Sequence, residues 1–341
     1  MKEKLLITGG AGFIGSNLAN KLSIKYEVVV LDSLYKKQNK SNLEFLKQNN
    51  IQFVELDIRD SNKVFDILKD NNFDSVIHLA AQVAMTKSIK DPGLDFSTNV
   101  IGTLNIIDSL RKINSDAKFI NICSNKVYGD MAWDQLSETA TRYNSIAYSN
   151  GYKEDTKLDF TGPYGCSKGS AEQYVLDYAR TYDLNTVSLR LSTIYGKNQF
   201  STFDQGWIGW FIKEFFEYRN NTEYLINIQG NGKQVRDILY VDDLSNLFME
   251  ILEKDFSTLN DNCFNVGGGQ ENSFSIIELL QFLASEHKLN NKFNLQMNEW
   301  RKGDQKYYVS DISKISQTFD WKPSTTKAEG VMKYLKWIQE S

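Results

Sequence analysis

Tyr164 and Lys168 are the residues whose types and spacing point most directly to proton-transfer chemistry. They lie four positions apart beside a predicted helix, residues 169–181, so both side chains are expected on one helix face. A free tyrosine has a pKa of about 10, and a neighbouring ammonium favours the phenolate and lowers that pKa. The pair therefore predicts a base that works near neutral pH. Because the chain contains 17 tyrosines, the spacing alone also fits an unrelated surface pair.

A glycine-rich turn near the N-terminus predicts a hydride acceptor for such a base. An apolar strand leads into Gly9, Gly12 and Gly15, a helical pattern follows, and a second apolar strand, residues 28–31, ends at Asp32. This order is the dinucleotide-binding fingerprint, in which the pyrophosphate rests on the helix N-terminus. Asp32 is expected to bind the adenosine ribose hydroxyls and to repel a 2′-phosphate, which favours NAD over NADP.

The alternation of strands and helices continues and predicts a parallel sheet covered on both faces. Further strands are predicted at residues 51–56, 75–81 and 118–124, with helices between them over 61–69 and 95–112. Ligands of such sheets bind at the carboxyl ends of the strands, where Asp32, Ala80 and Ser124 lie. The Ser124 hydroxyl is expected to hydrogen-bond a substrate oxygen and to share a proton with Tyr164. A turn-capping role is the alternative for Ser124.

Composition excludes several other classes of function. A net charge of −4 gives no general attraction to nucleic acid or to an anionic membrane, and no apolar run approaches the roughly 18 residues that span a bilayer. The start of the chain resembles no signal peptide, so a cytoplasmic protein is expected. Cys123, Cys166 and Cys263 have no metal-binding spacing. Of the two histidines, His78 lies inside an apolar run and is predicted to be a core residue, so another residue type must do any acid–base chemistry.

These features together resemble the extended short-chain dehydrogenase/reductase family, the nucleotide-sugar epimerases and dehydratases. The resemblance rests on residues 8–15, Asp32, residues 78–81, Ser124, and Tyr164 with Lys168. A narrower resemblance, to the 2-epimerases of CDP-linked sugars, covers nearly the whole chain and rests on residues 82–86, 125–130, 163–169, 204–211 and 230–237. It implies redox-neutral epimerisation of a CDP-hexose at C2, with NAD held tightly, in a homodimer or homotetramer. In that group a threonine stands at the position of Ser124, which keeps the hydroxyl.

The fingerprint and the resemblance together name the residues expected to contact the cofactor. They are Gly9, Gly12, Phe13, Ile14, Gly15, Asp32, Asp57, Ile58, Ala80, Ala81, Asn99, Tyr164, Lys168 and Ile194. Lys36 and Lys37 follow Asp32 closely and leave the preference for NAD over NADP slightly open.

Asn125 and Lys126 narrow the chemistry within the wider family. The related 4,6-dehydratases carry an Asp-Glu pair at these two positions, and UDP-glucuronate decarboxylases also place a Glu there. An amide and an ammonium cannot supply that carboxylate, so both reactions are disfavoured. Lys126 remains open to two interpretations, as a contact to the substrate or as a structural cation that holds the segment 131–161.

The second half of the chain is predicted to build a smaller substrate domain interleaved with the first. The expected fold is α/β, with a Rossmann-like doubly wound parallel sheet in residues 1–190 and about 236–255. The smaller α/β domain takes 191–235 and 256–341. Residues 131–160 are long, polar and without periodicity, which is typical of a functional loop, and they are expected to border the active site.

Six residues are expected to bind the nucleotide sugar: Gln82, Val83, Lys126, Gln199, Arg236 and Arg301. By the resemblance, Arg236 and Arg301 meet the diphosphate, whose oxygens suit a guanidinium fork; surface salt bridges are the alternative for both. No metal site is predicted. The hypothesis is that Tyr164, held ionised by Lys168, removes the proton of the sugar C2 hydroxyl while the C2 hydride passes to the nicotinamide and then returns to the opposite face. A 4-epimerase or another oxidoreductase on a different nucleotide sugar, and a non-catalytic NAD sensor, are the alternatives.

Overall fold

The structure is a computed structural model that describes residues 2–36, 39–113, 115–259, 261–290 and 292–341. Its strands are β1 Lys4–Thr8, β2 Glu27–Asp32, β3 Gln52–Glu55, β4 Ser75–His78, β5 Lys118–Ser124, β6 Leu136–Glu138, β7 Tyr143–Ser145, β8 Thr186–Leu191, β9 Thr193–Tyr195, β10 Ile226–Gln229, β11 Val235–Tyr240, β12 Cys263–Val266, β13 Ser273–Ser275, β14 Leu295–Asn298 and β15 Tyr307–Tyr308. Its α-helices are α1 Phe13–Leu22, α2 Asn39–Gln48, α3 Ser61–Asn71, α4 Met85–Lys90, α5 Pro92–Phe96, α6 Gly102–Lys112, α7 Gly162–Tyr182, α8 Trp207–Asn220, α9 Val241–Glu253, α10 Ile276–Glu286, α11 Ser313–Phe319 and α12 Lys327–Glu340.

A large parallel sheet organises the cofactor side of the molecule. Within the described residues it has seven strands in the order β12-β8-β5-β4-β1-β2-β3, all paired in parallel. Successive residues of β1 enter opposite cores: Leu5 and Ile7 pack beside α1 and α9, whereas Leu6 packs beside α3 and α6. Burial on both faces explains why these strands read as continuous apolar runs. The predicted doubly wound sheet is confirmed.

A smaller domain is built around β11. This strand pairs with β13, β15 and β9, while β10 and β14 form a separate pair. Helices α8, α10 and α12 pack into one aromatic-rich core that includes Phe211, Phe215 and Tyr334. Ser275 and Thr326 each accept a hydrogen bond from the third residue of the helix they begin, which fixes the starts of α10 and α12.

The division of the chain between the domains differs from the predicted ranges in two places. Residues 236–255 were expected to return wholly to the first domain, but β11 belongs to the smaller domain's sheet and α9 alone packs on α1. Residues 256–341 were expected wholly in the smaller domain, but β12 hydrogen-bonds to β8 and forms the edge of the large sheet. Pairing partners distant in sequence decide both cases, and local patterns do not carry that information.

Two helices differ from their predicted bounds near the site. The helix expected at 169–181 begins at Gly162, so Tyr164 lies in its first turn. The helix expected at 95–112 is interrupted by a π-helical turn, Ser97–Ile101, between α5 and α6. Such turns are rare and are frequent at functional sites.

The segment 131–161 does not border the cleft, and that expectation was wrong. It carries the β6–β7 hairpin and packs on both domains. Glu154 accepts hydrogen bonds from Arg190 of β8 and from the Asn265 amide of β12, and backbone contacts reach the smaller domain. The Tyr143 amide donates to the Lys233 carbonyl at 3.0 Å, and the Tyr152 amide donates to the Val309 carbonyl at 2.8 Å. The segment therefore joins the end of β5 to the smaller domain. None of the described helices has the length and apolar character needed to cross a membrane.

Candidate active site

One large cleft between the domains, with a volume of about 830 Å³, brings together nearly all of the predicted site residues. It is lined on the cofactor side by Gly9, Gly12, Phe13, Ile14, Gly15, Asp32, Asp57, Ile58, Ala80, Ala81 and Ile194; at the centre by Ser124, Tyr164 and Lys168; and on the substrate side by Gln82, Val83, Lys126, Gln199, Arg236 and Arg301. Asn99 is the exception. Its buried side-chain amide donates to the Gln82 carbonyl and to the Ser167 hydroxyl, at 3.0 and 2.9 Å. Asn99 is therefore a support for the cleft wall rather than part of its lining.

The glycine turn has the shape that a bound dinucleotide needs. Two of its glycines let backbone segments touch, and the third leaves open space in front of the turn. A Cβ at Gly9 would lie 2.6 Å from the Ala80 nitrogen, and one at Gly15 would lie 2.5 Å from the Gly10 Cα, so both glycines allow backbone to pack on backbone. A Cβ at Gly12 would meet only the Gly9 carbonyl, at 3.0 Å, and would otherwise point into open space. Gly12 also precedes α1, whose first turn receives no side-chain cap. The free amides of this turn suit a pyrophosphate.

Asp32 lies where the ribose hydroxyls of the cofactor are expected. Its carboxylate is buried at the end of β2 and accepts hydrogen bonds from the Leu34 amide at 2.8 Å and the Ala11 amide at 3.2 Å. Burial raises the pKa of Asp32, and these hydrogen bonds oppose that rise. Lys36 also lines the cleft, whereas Lys37 lies outside the described residues.

Ser124, Tyr164 and Lys168 meet where β5 ends against the first turns of α7. The Ser124 oxygen accepts a hydrogen bond from the Lys126 amide at 3.2 Å, which fixes the serine at the strand end. Burial raises the pKa of Tyr164 well above its ordinary value, and a hydrogen bond with Ser124 opposes that rise. Lys168 is also buried, and its pKa is lowered by that burial.

The expectation that Lys168 lowers the pKa of Tyr164 is not met by the protein alone. Burial has the largest effect on the phenol, and Cys123 and Asp95 raise its pKa further. Burial alone therefore favours the neutral phenol form of Tyr164. An oxidised nicotinamide carries a positive charge, and a positive charge beside Tyr164 would favour the phenolate.

His78 confirms its predicted place in the core. Its ring is 1% exposed and lies within hydrogen-bonding distance of the Thr8 and Thr103 hydroxyls, at 2.8 and 3.0 Å. Burial, with the charge of Lys168, lowers its pKa to about 3.

The substrate side of the cleft carries a cluster of charges that the sequence only partly indicated. Arg236 and Lys126 both contact the Asp304 carboxylate, at 2.7 and 3.3 Å. The Arg301 guanidinium lies 4.4 Å from the centre of the Phe203 ring and donates to the Phe203 carbonyl at 3.0 Å. Lys126 makes no contact with the segment 131–161 among its hydrogen bonds and ion pairs to described residues, so that structural role is not supported.

Sequence reasoning missed the roles of Asp304 and Trp210 in this half of the cleft. Asp304 lies three residues after Arg301, and only Arg301 of this segment was predicted to bind the substrate. Trp210 lines the cleft, and its indole N–H is buried without a partner among the described residues. Gln205 accepts a hydrogen bond from Lys36 at 3.1 Å across the cleft mouth, a contact between segments far apart in sequence.

The comparisons with known proteins agree with this geometry. Residues 6–334 match the family model described as GDP-mannose 4,6 dehydratase. The chain belongs to this family. This family is one of the extended short-chain dehydrogenases/reductases that the sequence resembles. The chain is an NAD-dependent enzyme of the nucleotide-sugar epimerase class, and NAD is its cofactor.

Individual relatives span the same length. The chain is 45% identical to CDP-paratose 2-epimerase from Salmonella typhi over 337 residues, which cover 98% of each chain. It is 30% identical to dTDP-glucose 4,6-dehydratase from Salmonella typhimurium, over 98% of this chain and 92% of that one. Among solved structures, UDP-glucuronic acid 4-epimerase from Bacillus cereus, in complex with UDP-glucuronic acid and NAD, superposes with a TM-score of 0.81 at 27% identity over 99% of both chains.

Proposed function

We propose that this enzyme interconverts CDP-paratose and CDP-tyvelose by epimerisation at C2. The observation that carries the proposal is the convergence of Ser124, Tyr164 and Lys168 at the centre of a cleft that continues into a cationic substrate side. The high identity to a CDP-paratose 2-epimerase supports the choice of sugar and of carbon. CDP-linked hexoses are therefore the substrate class that we propose.

In this mechanism Tyr164 takes the proton of the C2 hydroxyl while the C2 hydride leaves the sugar. NAD, held by the glycine turn and Asp32, would supply the hydride acceptor for C2, and return of the same hydride would make the reaction redox-neutral. Ser124 orients the reacting oxygen, the positive charge of the oxidised nicotinamide would favour the Tyr164 phenolate, and Lys168 would bind the nicotinamide ribose. Arg236 and Arg301 hold the diphosphate, which leaves the 2-keto sugar able to present its opposite face. Tyr164 then returns its proton to the C2 oxygen.

The residues after Ser124 argue against elimination and decarboxylation. Asn125 is buried, and its amide donates toward the Gln305 side chain at 3.3 Å. Lys126 pairs with Asp304. An amide and an ammonium cannot perform the carboxylate acid–base step of a 4,6-dehydratase, which distinguishes this chain from its dehydratase relative.

A turnover experiment in heavy water tests the proposal. Purified enzyme is incubated with CDP-paratose in D2O, and the C2 position of the product is examined by NMR. We expect CDP-tyvelose with protium at C2, because the hydride never leaves the enzyme. Stoichiometric deuterium at C2 would show enolisation instead. A faster conversion of UDP-glucose to UDP-galactose would make the enzyme a 4-epimerase, and no turnover of either sugar by NAD-loaded protein would favour the NAD sensor.

We further propose that two copies pair through the helices beside the site, in the homodimer or homotetramer predicted from the resemblance. Phe96 and Ile101 on the helix of residues 92–112, and Tyr174 and Tyr182 on α7, are exposed to solvent in the single chain. Their burial against a second copy would remove apolar surface from water. Light scattering of the purified protein measures the assembly. The cytoplasmic location stays a prediction from the sequence.

A further inference from the structure

Asp304 is the point at which three cations of the substrate side converge. The same oxygen, Oδ1, lies 2.7 Å from an Arg236 nitrogen and 3.3 Å from the Lys126 Nζ. Arg301, three residues earlier, adds a third positive charge that lowers the pKa of the carboxyl. These cations come from β11, from the turn after β5 and from the loop before β15, and all of them line the cleft together with Asp304.

Asp304 is held rigidly, because its neighbour Gln305 is bound to the other domain. The Gln305 amide donates to the Gly129 carbonyl at 2.8 Å and to the Asn125 carbonyl at 3.3 Å. The Asp304 amide itself donates to the Arg301 carbonyl at 3.1 Å, which closes a turn. The carboxylate is thus anchored to the residues that directly follow Ser124, unlike the carboxylate of a mobile surface pair.

The charge balance of this cluster matches a nucleoside diphosphate sugar. Three cations and one carboxylate leave two net positive charges when Lys126 is protonated. A sugar nucleotide carries two negative charges on its diphosphate at neutral pH. Loss of the Lys126 proton would leave one of those charges without a partner in a cleft where water screens it poorly.

Asp304 is also the group that favours the charged form of Lys126. Burial lowers the pKa of Lys126 to about 8, and the charges of Arg236 and Arg301 lower it as well. Asp304 opposes this fall and raises the pKa of Lys126, both through its charge and through its hydrogen bond. If the Asp304 carboxylate were removed, Arg236 and Arg301 would still repel the Lys126 ammonium. The pKa of Lys126 would therefore fall, and the side chain would become neutral at a lower pH.

We propose that Asp304 is a positioning residue for the nucleotide sugar, which holds Lys126 protonated and fixed in the cleft so that its ammonium completes the diphosphate site. The inference rests on the proposed function for the identity of the ligand. The contact between Asp304 and Lys126 is a property of the enzyme before substrate binds, so it can be tested without any sugar.

The first experiment measures the protonation of Lys126 directly. NAD-loaded enzyme is pulsed with acetic anhydride at pH values from 6 to 10, and mass spectrometry follows acetylation of Lys126. We expect a midpoint near pH 8 in the unchanged enzyme and a midpoint lower by about one to three pH units in Asp304→Asn. Asp261→Asn is the matched control, because Asp261 also pairs with a lysine, Lys314, far from the cleft. An unchanged midpoint in Asp304→Asn with unchanged thermal unfolding would overturn the proposal.

The second experiment connects that proton to ligand binding. Calorimetry measures the affinity for CDP-glucose, whose diphosphate does not titrate over this pH range. We expect the affinity to decline above the Lys126 midpoint, and to decline from a lower pH in Asp304→Asn. Lys126→Arg keeps its charge and should bind CDP-glucose with little change across the range, with or without Asp304→Asn. The same alkaline decline in Lys126→Arg would overturn the substrate part of the proposal. A shifted labelling midpoint without binding of CDP-glucose would support the role of Asp304 and count against CDP-sugars as the substrate class.

Discussion

The cofactor side and the substrate side of the cleft are built from different kinds of groups. The cofactor side uses backbone: glycines that let chain segments touch, and the free amides at the start of α1. The substrate side uses charged side chains from distant segments that meet at Asp304. A site built from closely packed backbone is sensitive to added side-chain volume and insensitive to a change of charge. A cluster of ions is sensitive to a change of charge and insensitive to a change of volume. Substitutions on the two sides should therefore fail in different ways, and residues at the centre should affect chemistry alone.

The largest effect is expected at the centre, for Tyr164→Phe. Loss of the phenolic hydroxyl removes the proton acceptor, so kcat should fall by about 10²- to 10⁴-fold. The ring remains to fill its buried position, so the amount of NAD released by denaturing the purified protein should not change. A variant with normal kcat would remove Tyr164 from the mechanism, and a variant without NAD would place it among the cofactor supports instead.

Arg236→Gln tests the charged side of the comparison. A charge-assisted hydrogen bond is worth about 1.5–3 kcal/mol, so KM for the nucleotide sugar should rise roughly ten- to a hundredfold. Bound NAD and thermal stability should stay near those of the unchanged enzyme, because the substituted side chain belongs to neither the glycine turn nor a core. Steady-state kinetics, with NAD content measured in parallel, check this. A loss of NAD with unchanged KM would contradict the separation of the two sides.

Gly12→Ala and Gly15→Ala test the backbone side as a matched pair. The new Cβ at residue 15 would lie 2.5 Å from the Gly10 Cα, and backbone cannot give way, so unfolding free energy should fall by about 1–3 kcal/mol. The new Cβ at residue 12 points into the cleft, so the protein should remain folded while its NAD affinity falls roughly ten- to a hundredfold. Chemical denaturation and NAD titration of the apo-proteins separate these outcomes. Equal losses of stability in both variants would show that Gly12 is a folding requirement rather than a cofactor contact.

The effect farthest from the chemistry concerns His78, in the sheet beneath the cofactor side. Its folded-state pKa of about 3 lies below the unfolded value of about 6.5, so the unfolded chain binds a proton between these values that the folded chain does not. Unfolding free energy should therefore fall as pH drops below 6.5, with this residue contributing about 1.4 kcal/mol per pH unit. His78→Asn should be less stable at pH 7 but should lose that part of the slope. Denaturation series between pH 4 and 7 measure it, and parallel slopes would show that His78 is not the titrating group.

The difference between the backbone-built cofactor side and the charged substrate side also explains which residues could be predicted from sequence. The glycine turn, Asp32 and Ser124 lie within or at the ends of local strand and helix patterns, so the cofactor side and the centre were predicted residue by residue. Asp304 acquires its role through Lys126 and Arg236, which lie 178 and 68 residues away in sequence. Gln205 likewise contacts Lys36, which lies 169 residues away. The assignments of β11 and β12 were wrong for the same reason. Asn99 was predicted to contact the cofactor because the sequence indicates its position beside the site. The sequence does not indicate the hydrogen bonds to Gln82 and Ser167 that occupy its amide.

The late strand β12 also bears on how the chain reaches its native state. It completes the edge of a sheet whose neighbouring strand, β8, ends at Leu191, and it is itself built from Cys263–Val266. At about 5–20 residues per second, ribosomal synthesis needs several seconds to pass from one to the other. During that interval the edge of β8 has unpaired backbone groups, which are a template for wrong pairing with another chain. We therefore expect a fragment that stops before residue 263 to aggregate rather than bind its cofactor.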